Sequence, residues 1–200
     1  IYTPLNTSYK TDEVEYFIEN IEPKLFIGSP NSSDTNKEIC SKLSVPFFET
    51  IGTDDDDSFF KKILLMKPSY IFEDCNGYDI AAILFTSGTT GKSKGAMITH
   101  DNLSSNAIAL KEIWDFTDRD TLLHALPIFH VHGLFVALNI ALLSASKIIF
   151  IEKFNIEDVI ENLKNSSVMM GVPTYYNRLV NDENFKSVSY ENMRLFISGS

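Results

Sequence analysis

Apolar positions along the chain change period repeatedly, from the spacing of a helix to that of a buried strand and back. Val14, Phe17, Ile18 and Ile21 recur at helical spacing, and Asp12, Glu13 and Glu15 just after Thr11 suit the positive end of a helix, so a first amphipathic helix is expected there. The runs "PKLFIGS" and "VPFFE" read as short buried strands, separated by a polar helix-like segment over residues 36–43. Beyond Asn76 the alternation becomes regular. It predicts strands at 81–86, 121–126, 147–151, 168–171 and 194–198, and helices at 102–114, 131–144, 156–164 and 173–180. Asn155 can cap the helix whose core face is Ile156, Val159, Ile160 and Leu163, and Pro173 suits the first turn of the next. Strands joined by helices imply an α/β fold, a mostly parallel sheet flanked by helices on both faces.

Composition narrows the function classes. Two hundred residues with 44% hydrophobic content suffice for one core of ordinary size, which excludes a disordered chain. A formal charge of −10 with scattered lysines leaves no basic stripe to neutralise a nucleic-acid backbone or an anionic membrane. The apolar stretch 133–151 is interrupted by Asn139, Ser144, Ser146 and Lys147 and divides into a helix and a strand, so it is a buried helix and not a membrane span. Cys40 and Cys75 lie far apart and outside every motif. Both read as structural thiols, suited to a reducing compartment and hence to the cytoplasm. The carboxylate run 54–57 lacks EF-hand spacing and reads as a solvated loop.

The segment "FTSGTTGKSKG", residues 85–95, sits between a predicted strand and a predicted helix and carries three glycines, five hydroxyls and two lysines. Glycines at 88, 91 and 95 let backbone N–H groups converge on an anion, the hydroxyls of Thr86, Ser87, Thr89 and Thr90 can donate, and Lys92 or Lys94 can neutralise charge. A triphosphate fits this chemistry. A Walker loop does not, because that spacing needs glycine where Thr86 stands. The alternative is a flexible surface loop rich in Ser, Thr and Gly.

"TSGTTGKSKG" resembles the phosphate-loop signature of the adenylate-forming enzymes, the acyl-CoA synthetase, luciferase and adenylation-domain family. "PLNTSYKTDEVEYFI" resembles that family's upstream segment, "GAMITHDNL" the strand and helix after the loop, "LPIFHVHGL" the next core motif and "FISGS" the start of another, so the resemblance covers essentially the whole chain. "HALPIFHVHGLFVALNIALLS" with "MMGVPTYYNRL" is most similar to malonyl-CoA synthetases. The resemblance implies an ATP-dependent acid–thiol ligase that forms an acyl-adenylate and then an acyl-CoA, with malonate or methylmalonate as the acid. Alternatives are another short-chain or fatty acyl-CoA synthetase, or a noncatalytic nucleotide-binding remnant. ATP, coenzyme A and a small carboxylic acid are the implied partners, and Mg2+ the implied cofactor, its ligand motif lying outside this chain. The implied organisation is a large N-terminal domain truncated at both ends, with one α/β part over 1–76 and a second carrying the phosphate loop over 77–200. The small C-terminal domain is absent on this reading, and the fragment alone is inactive.

Residue by residue, the resemblance gives Thr86, Ser87, Gly88, Thr89, Thr90, Gly91 and Lys94 the ATP phosphates. It gives Ser198 a substrate contact, and Gly199 and Ser200 a place in the nucleotide and acyl pocket. It makes His130 the candidate catalytic and acid-binding histidine, lining the acyl pocket and the path of the thiol, against the alternative of a core histidine. His132 is taken as structural. Zinc at this pair lacks a nearby cysteine or carboxylate ligand. Amino-acid-activating relatives place an aspartate in this motif to pair with the substrate ammonium; none stands here, and a buried ammonium without one would be costly. Tyr175 and Arg178 fall three apart on one side of a short helix, with Tyr176, Leu179 and Val180 available for apolar contacts. Arg178 can clamp a second carboxylate, or stand as an exposed arginine at a helix end.

Overall fold

A computed structural model describes residues 1–52, 58–86 and 93–199. It divides into two compact units, Leu5–Asp74 and Ile1–Pro4 with Cys75–Ser200.

In the first unit, α1 (Thr11–Ile21) begins one residue after Lys10, whose backbone N–H donates to the Glu13 carboxylate at 2.8 Å. Its buried face is Val14, Phe17 and Ile18, as the spacing predicts. β1 (Leu25–Gly28) pairs in parallel with β2 (Phe47–Thr50), and α2 (Ser33–Lys42), entered by a 3-10 turn at Pro30–Ser32, crosses between them. Ile18, Ile39 and Cys40 close the core of this unit. The sequence reading missed α3 (Ser58–Leu65), although Phe59, Phe60, Ile63 and Leu64 carry a helical period. It is tied to β2 by polar contacts: the Ser58 hydroxyl donates to Glu49 at 2.8 Å, and Lys62 pairs with Glu49. Residues 54–57, read as a solvated loop, lie outside the described residues.

The second unit starts with a departure from the expected parallel order. β3 (Ile80–Thr86) and β4 (Lys94–Thr99) form an antiparallel hairpin, with Tyr2 bridging to Ala82. β4 gives no strand signal of its own because one of its apolar residues, Met97, is exposed and Ile98 is only half-buried; the family resemblance alone indicated it. α4 (His100–Ile113) follows at once, with the Thr99 hydroxyl accepting from the Asn102 N–H at 3.1 Å as its cap.

The remaining strands, β5 (Thr121–His124), β6 (Lys147–Phe150), β7 (Val168–Gly171) and β8 (Leu195–Ser198), make one parallel sheet in the order β6-β5-β7-β8. Successive residues of β5 and β7 face opposite sides, so two cores form. Leu122, Val168 and Met170 pack with Ala137, Ile140 and Ala141 on one face, and Leu123 and Met169 pack with Val159, Leu163 and Leu179 on the other. The first face is covered by a π-helix (His132–Leu138) running into α5 (Asn139–Leu143), where the periodicity predicts one continuous α-helix. The second is covered by α6 (Ile156–Leu163) and α7 (Pro173–Val180). A short α8 (Glu183–Ser187), not expected from sequence, starts where the Asp182 carboxylate accepts from the Asn184 and Phe185 N–H groups. β5 stops two residues short of the expected strand end, the chain leaving the ladder ahead of Pro127, which has no N–H to donate.

Both cysteines are free. Cys40 packs in a core, and burial pushes its thiol up; Cys75 is exposed, which corrects its reading as a structural thiol. Among the described residues no helix is long and apolar enough to cross a membrane.

Candidate active site

Strand order locates the crevice before any residue is consulted. From β5 the chain goes to β6 on one side through the π-helix and α5, then returns past β5 to β7 on the other side through α6. The two connections leave the sheet on opposite faces, so their loops part above the carboxyl ends of β5 and β7. In open parallel sheets this parting is where ligands bind. Four residues end the strands there: His124, Phe150, Gly171 and Ser198.

The loop after β5 carries the histidines. His130 is exposed, its N–H returning to the Pro127 carbonyl at 3.3 Å and its ring lying 4.5 Å from that of Phe129. It is therefore open to a ligand and is not a core histidine. His132, half-buried, opens the π-helix and was not assigned a site role from sequence, yet its Cε1 lies 3.8 Å from where a Gly199 Cβ would stand. Burial lowers its basicity, and the nearby Gly199 backbone opposes that shift. Gly199 donates from its N–H to the Gly171 carbonyl at 3.2 Å, which joins the ends of β7 and β8 beside His132. Ser198 is exposed beside them, and Ser200 lies outside the described residues.

Two glycines make this approach possible. A Cβ on Gly133 would stand 2.3 Å from the Pro127 carbonyl oxygen, so only glycine lets the π-helix start this close to the loop. One on Gly171 would meet the rings of Tyr175 and Tyr176 at 3.2 and 3.3 Å. Neither belongs to the glycine-rich loop that drew attention in the sequence; a lone glycine inside an apolar run was the available signal.

His124 was also missed. It is buried to 1% exposure at the end of β5, beside Phe150 at 5.1 Å between ring centroids, and neither ring nitrogen has a well-formed hydrogen bond. Burial, then the neighbouring His132, lower its pKa to about 4, with the Leu126 backbone pulling weakly the other way, so the ring is neutral at ordinary pH.

On α7, Tyr175 and Arg178 share one face, as the spacing implies. Phe154 stacks on Tyr175 at 3.9 Å, and the Arg178 guanidinium carbon lies 5.0 Å from the centre of the same Phe154 ring. Arg178 is exposed and has no ion-pair partner among the described residues. Leu179 is in the core and Tyr176 is half-buried, its hydroxyl donating to the Ile197 carbonyl at 2.6 Å; Val180 is exposed, which corrects its expected apolar role.

The phosphate-loop residues divide. Thr86 and Lys94 are paired at the end of the hairpin where the chain passes from β3 to β4, the Thr86 hydroxyl donating to the Lys94 carbonyl at 3.4 Å, and both side chains are exposed. Ser87, Gly88, Thr89, Thr90 and Gly91 lie outside the described residues. Among the described residues no three His, Cys, Asp or Glu side chains gather as a metal site.

A profile of AMP-binding enzymes matches residues 1–200. The chain belongs to the AMP-binding enzyme family. It is 31% identical over 232 residues to a malonate–CoA ligase of Arabidopsis thaliana and 29% identical over 217 residues to the mitochondrial malonate–CoA ligase ACSF3 of Bos taurus. All of this chain is covered in both, but only 36% of either relative, so the chain spans about a third of their length. Among solved structures, the ATP-bound MatB of Rhodopseudomonas palustris superposes on the whole chain with a TM-score of 0.93 at 42% identity, with 40% of that chain covered. The α/β architecture is thus one this family uses.

Proposed function

We propose that the polypeptide carrying this chain is an ATP-dependent acid–thiol ligase acting on malonate or methylmalonate. The observation that carries the reading is the whole-chain likeness to an ATP-bound relative at 42% identity, together with the 31% identity to a malonate–CoA ligase. In the first half-reaction a substrate carboxylate oxygen attacks the α-phosphorus of ATP and pyrophosphate leaves. In the second, the thiol sulfur of coenzyme A attacks the acyl carbon, AMP leaves with the carboxylate oxygen, and the thiol proton is lost to solvent. Positioning and charge compensation are what a protein supplies to such steps.

The residue roles follow the same reading. Thr86, Ser87, Gly88, Thr89, Thr90, Gly91 and Lys94 hold the phosphates; His130, exposed at the crevice, faces the acid and the incoming thiol; Ser198, Gly199 and Ser200 border the acyl and nucleotide pocket. Arg178 receives the second carboxylate. Lying on the Phe154 ring, its guanidinium keeps its in-plane N–H groups available for a bidentate contact. The compartment we assign is the cytoplasm, on the strength of two free cysteines; fractionation is the check, since the Bos taurus relative is mitochondrial.

The test is substrate selectivity in the complete polypeptide. kcat/KM is compared for malonate and for propionate, nearly isosteric but lacking the second carboxylate, before and after Arg178→Met. Loss of a charged hydrogen-bonded pair costs about 2 kcal/mol or more, so malonate should fall by roughly thirtyfold or more while propionate holds or improves. Equal losses for both acids would remove Arg178 from selectivity. Propionate matching malonate in the unaltered protein would overturn the dicarboxylate reading itself.

A further inference from the structure

Phe154 stands where the chain leaves β6 for α6, one residue before Asn155, whose side-chain oxygen accepts from the Glu157 and Asp158 N–H groups and caps that helix. An apolar residue just ahead of a cap commonly packs back on its own helix, and Phe154 does lie against the second core. Leucine or valine would serve that purpose. The aromatic ring makes two further contacts. It stacks on Tyr175 of α7, with 3.9 Å between centroids and 16° between planes, and the Arg178 guanidinium carbon lies 5.0 Å from its centre, within reach of a cation–π attraction.

Tyr175 is itself held. Its ring lies against Gly171, where an added Cβ would stand 3.2 Å from it, and its hydroxyl donates to the Ala125 carbonyl at 3.4 Å. The stacked pair therefore ties the carboxyl end of β7 and the first turns of α7 to the entry of α6, and Arg178 rests on that pair. Arg178 is exposed and has no ion-pair partner among the described residues, so the Phe154 ring is what limits the motion of a long and otherwise mobile side chain. An arginine already held loses less freedom when it closes on a ligand, and it meets a carboxylate only at the place where it is held.

We propose that Phe154 is a positioning residue for selectivity. By holding the Arg178 guanidinium in place, it makes the site select the separation between the two carboxylates of its acid, malonate over the longer succinate, and not only the presence of a second charge. The substrate half of this proposal rests on reading Arg178 as the receiver of the second carboxylate; the ring contact does not.

The two halves are tested separately in the complete polypeptide. Without any acid, the Arg178 side-chain signals, assigned by their loss in Arg178→Met, should show the upfield shift of a group lying over an aromatic face. Phe154→Leu, which keeps an apolar residue ahead of the cap, should move them to the position of a free arginine, and Phe154→Tyr, which keeps the ring, should not. With substrates, Phe154→Leu should raise KM for malonate about two- to fivefold, the strength of a cation–π contact at an exposed site, while kcat holds. Succinate and propionate should change by less, so the malonate-to-succinate ratio of kcat/KM falls, and Phe154→Tyr should keep the original ratio. Arg178 signals unmoved by the leucine change overturn the contact. Signals at the free-arginine position in the unaltered protein overturn it equally, a result that needs no variant to fold. Equal losses for all three acids, or a tyrosine variant no better than leucine, overturn the selectivity role and leave Phe154 a packing residue. Propionate matching malonate in the unaltered protein is instead a failure of the dicarboxylate reading, and the acid-free signals then decide the contact on their own.

Discussion

At the amino ends of the parallel strands, Asp120 is the centre of an ionic network whose removal has a calculable cost. Its carboxylate is buried and accepts from Arg194 Nε and Nη2, each at 2.7 Å, from the Ser167 hydroxyl at 2.7 Å and from the Thr117 N–H at 2.9 Å. Burial pushes the carboxyl up, but the Arg194 guanidinium, the Thr117 N–H and the Ser167 hydroxyl outweigh it and hold the pKa down at about 2, against an ordinary 3.8. A depression of that size is worth at most about 2.5 kcal/mol, and because the Arg194 side chain is 38% exposed we take about 2 kcal/mol. The folded pKa lies below the unfolded one, so this stability is present above about pH 4 and is lost as pH falls through 2. Asp120→Asn should therefore cost about 2 kcal/mol at pH 7, roughly half of that at pH 3 and little at pH 2, where the native carboxyl is itself becoming neutral. Urea unfolding followed by the fluorescence of Trp114 reads this directly, since the only tryptophan gives its carbonyl to Arg194 Nη1 at 2.9 Å. A cost equal at pH 7 and pH 2 would mean that packing, not charge, makes the network, and a cost below about 0.5 kcal/mol at pH 7 would refute the assigned pairing.

Gly133→Ala should lower stability by about 1–3 kcal/mol, since its Cβ would sit 2.3 Å from the Pro127 oxygen, and a thermal melt of the variant checks it; an unchanged midpoint would show that the loop yields without strain. Tyr176→Phe should cost about 1–2 kcal/mol in the same assay, because its single hydroxyl hydrogen is given to the Ile197 carbonyl at 2.6 Å, with the Met169 carbonyl 3.0 Å away, and burial, which also holds the phenol well above its ordinary pKa, would leave that acceptor without its donor.

Local rules that agreed with one another were legible in the sequence. α6 has its Asn155 cap, two carboxylates in its first turn and an apolar face of Ile156, Val159, Ile160 and Leu163, and it begins as predicted. β7 reads as four consecutive apolar or small residues, and all four are buried, because a central parallel strand faces a core on both sides. Elements resting on longer-range or polar contacts were not legible. β4 exists by pairing with β3 and leaves no periodic apolar trace, whereas α3 does carry a short helical period but is fastened through Ser58 and Lys62 to Glu49, polar contacts that the sequence does not show. The stretch 132–138 reads as part of one continuous α-helix, because an apolar pattern of this length does not separate α from π winding. At the site, the exposed His130 and the alignment of Tyr175 with Arg178 follow from motif and spacing. The nearness of His132 to Gly199 and the burial of His124 do not, because the first joins positions 67 apart along the chain and the second depends on the helix packed over β5.

The two ends of one sheet treat polar groups in opposite ways, and that contrast bears on where chemistry can occur. At the amino ends, Asp120 meets a guanidinium, a hydroxyl and a backbone N–H, and Ser167 also accepts from the Thr121 N–H, so the polar groups there are committed to one another. Satisfied networks of this kind rigidify a fold. At the carboxyl ends, His124 is unpaired, His130 is exposed and Arg178 lies on an aromatic ring without a carboxylate among the described residues. Unmet donors and acceptors gathered at one edge cost stability unless something else meets them, and a substrate that brings carboxylates and phosphates has the complementary chemistry. The committed edge carries the strand register that holds the uncommitted one in place. Loosening Asp120 should therefore lower the stability of both edges together.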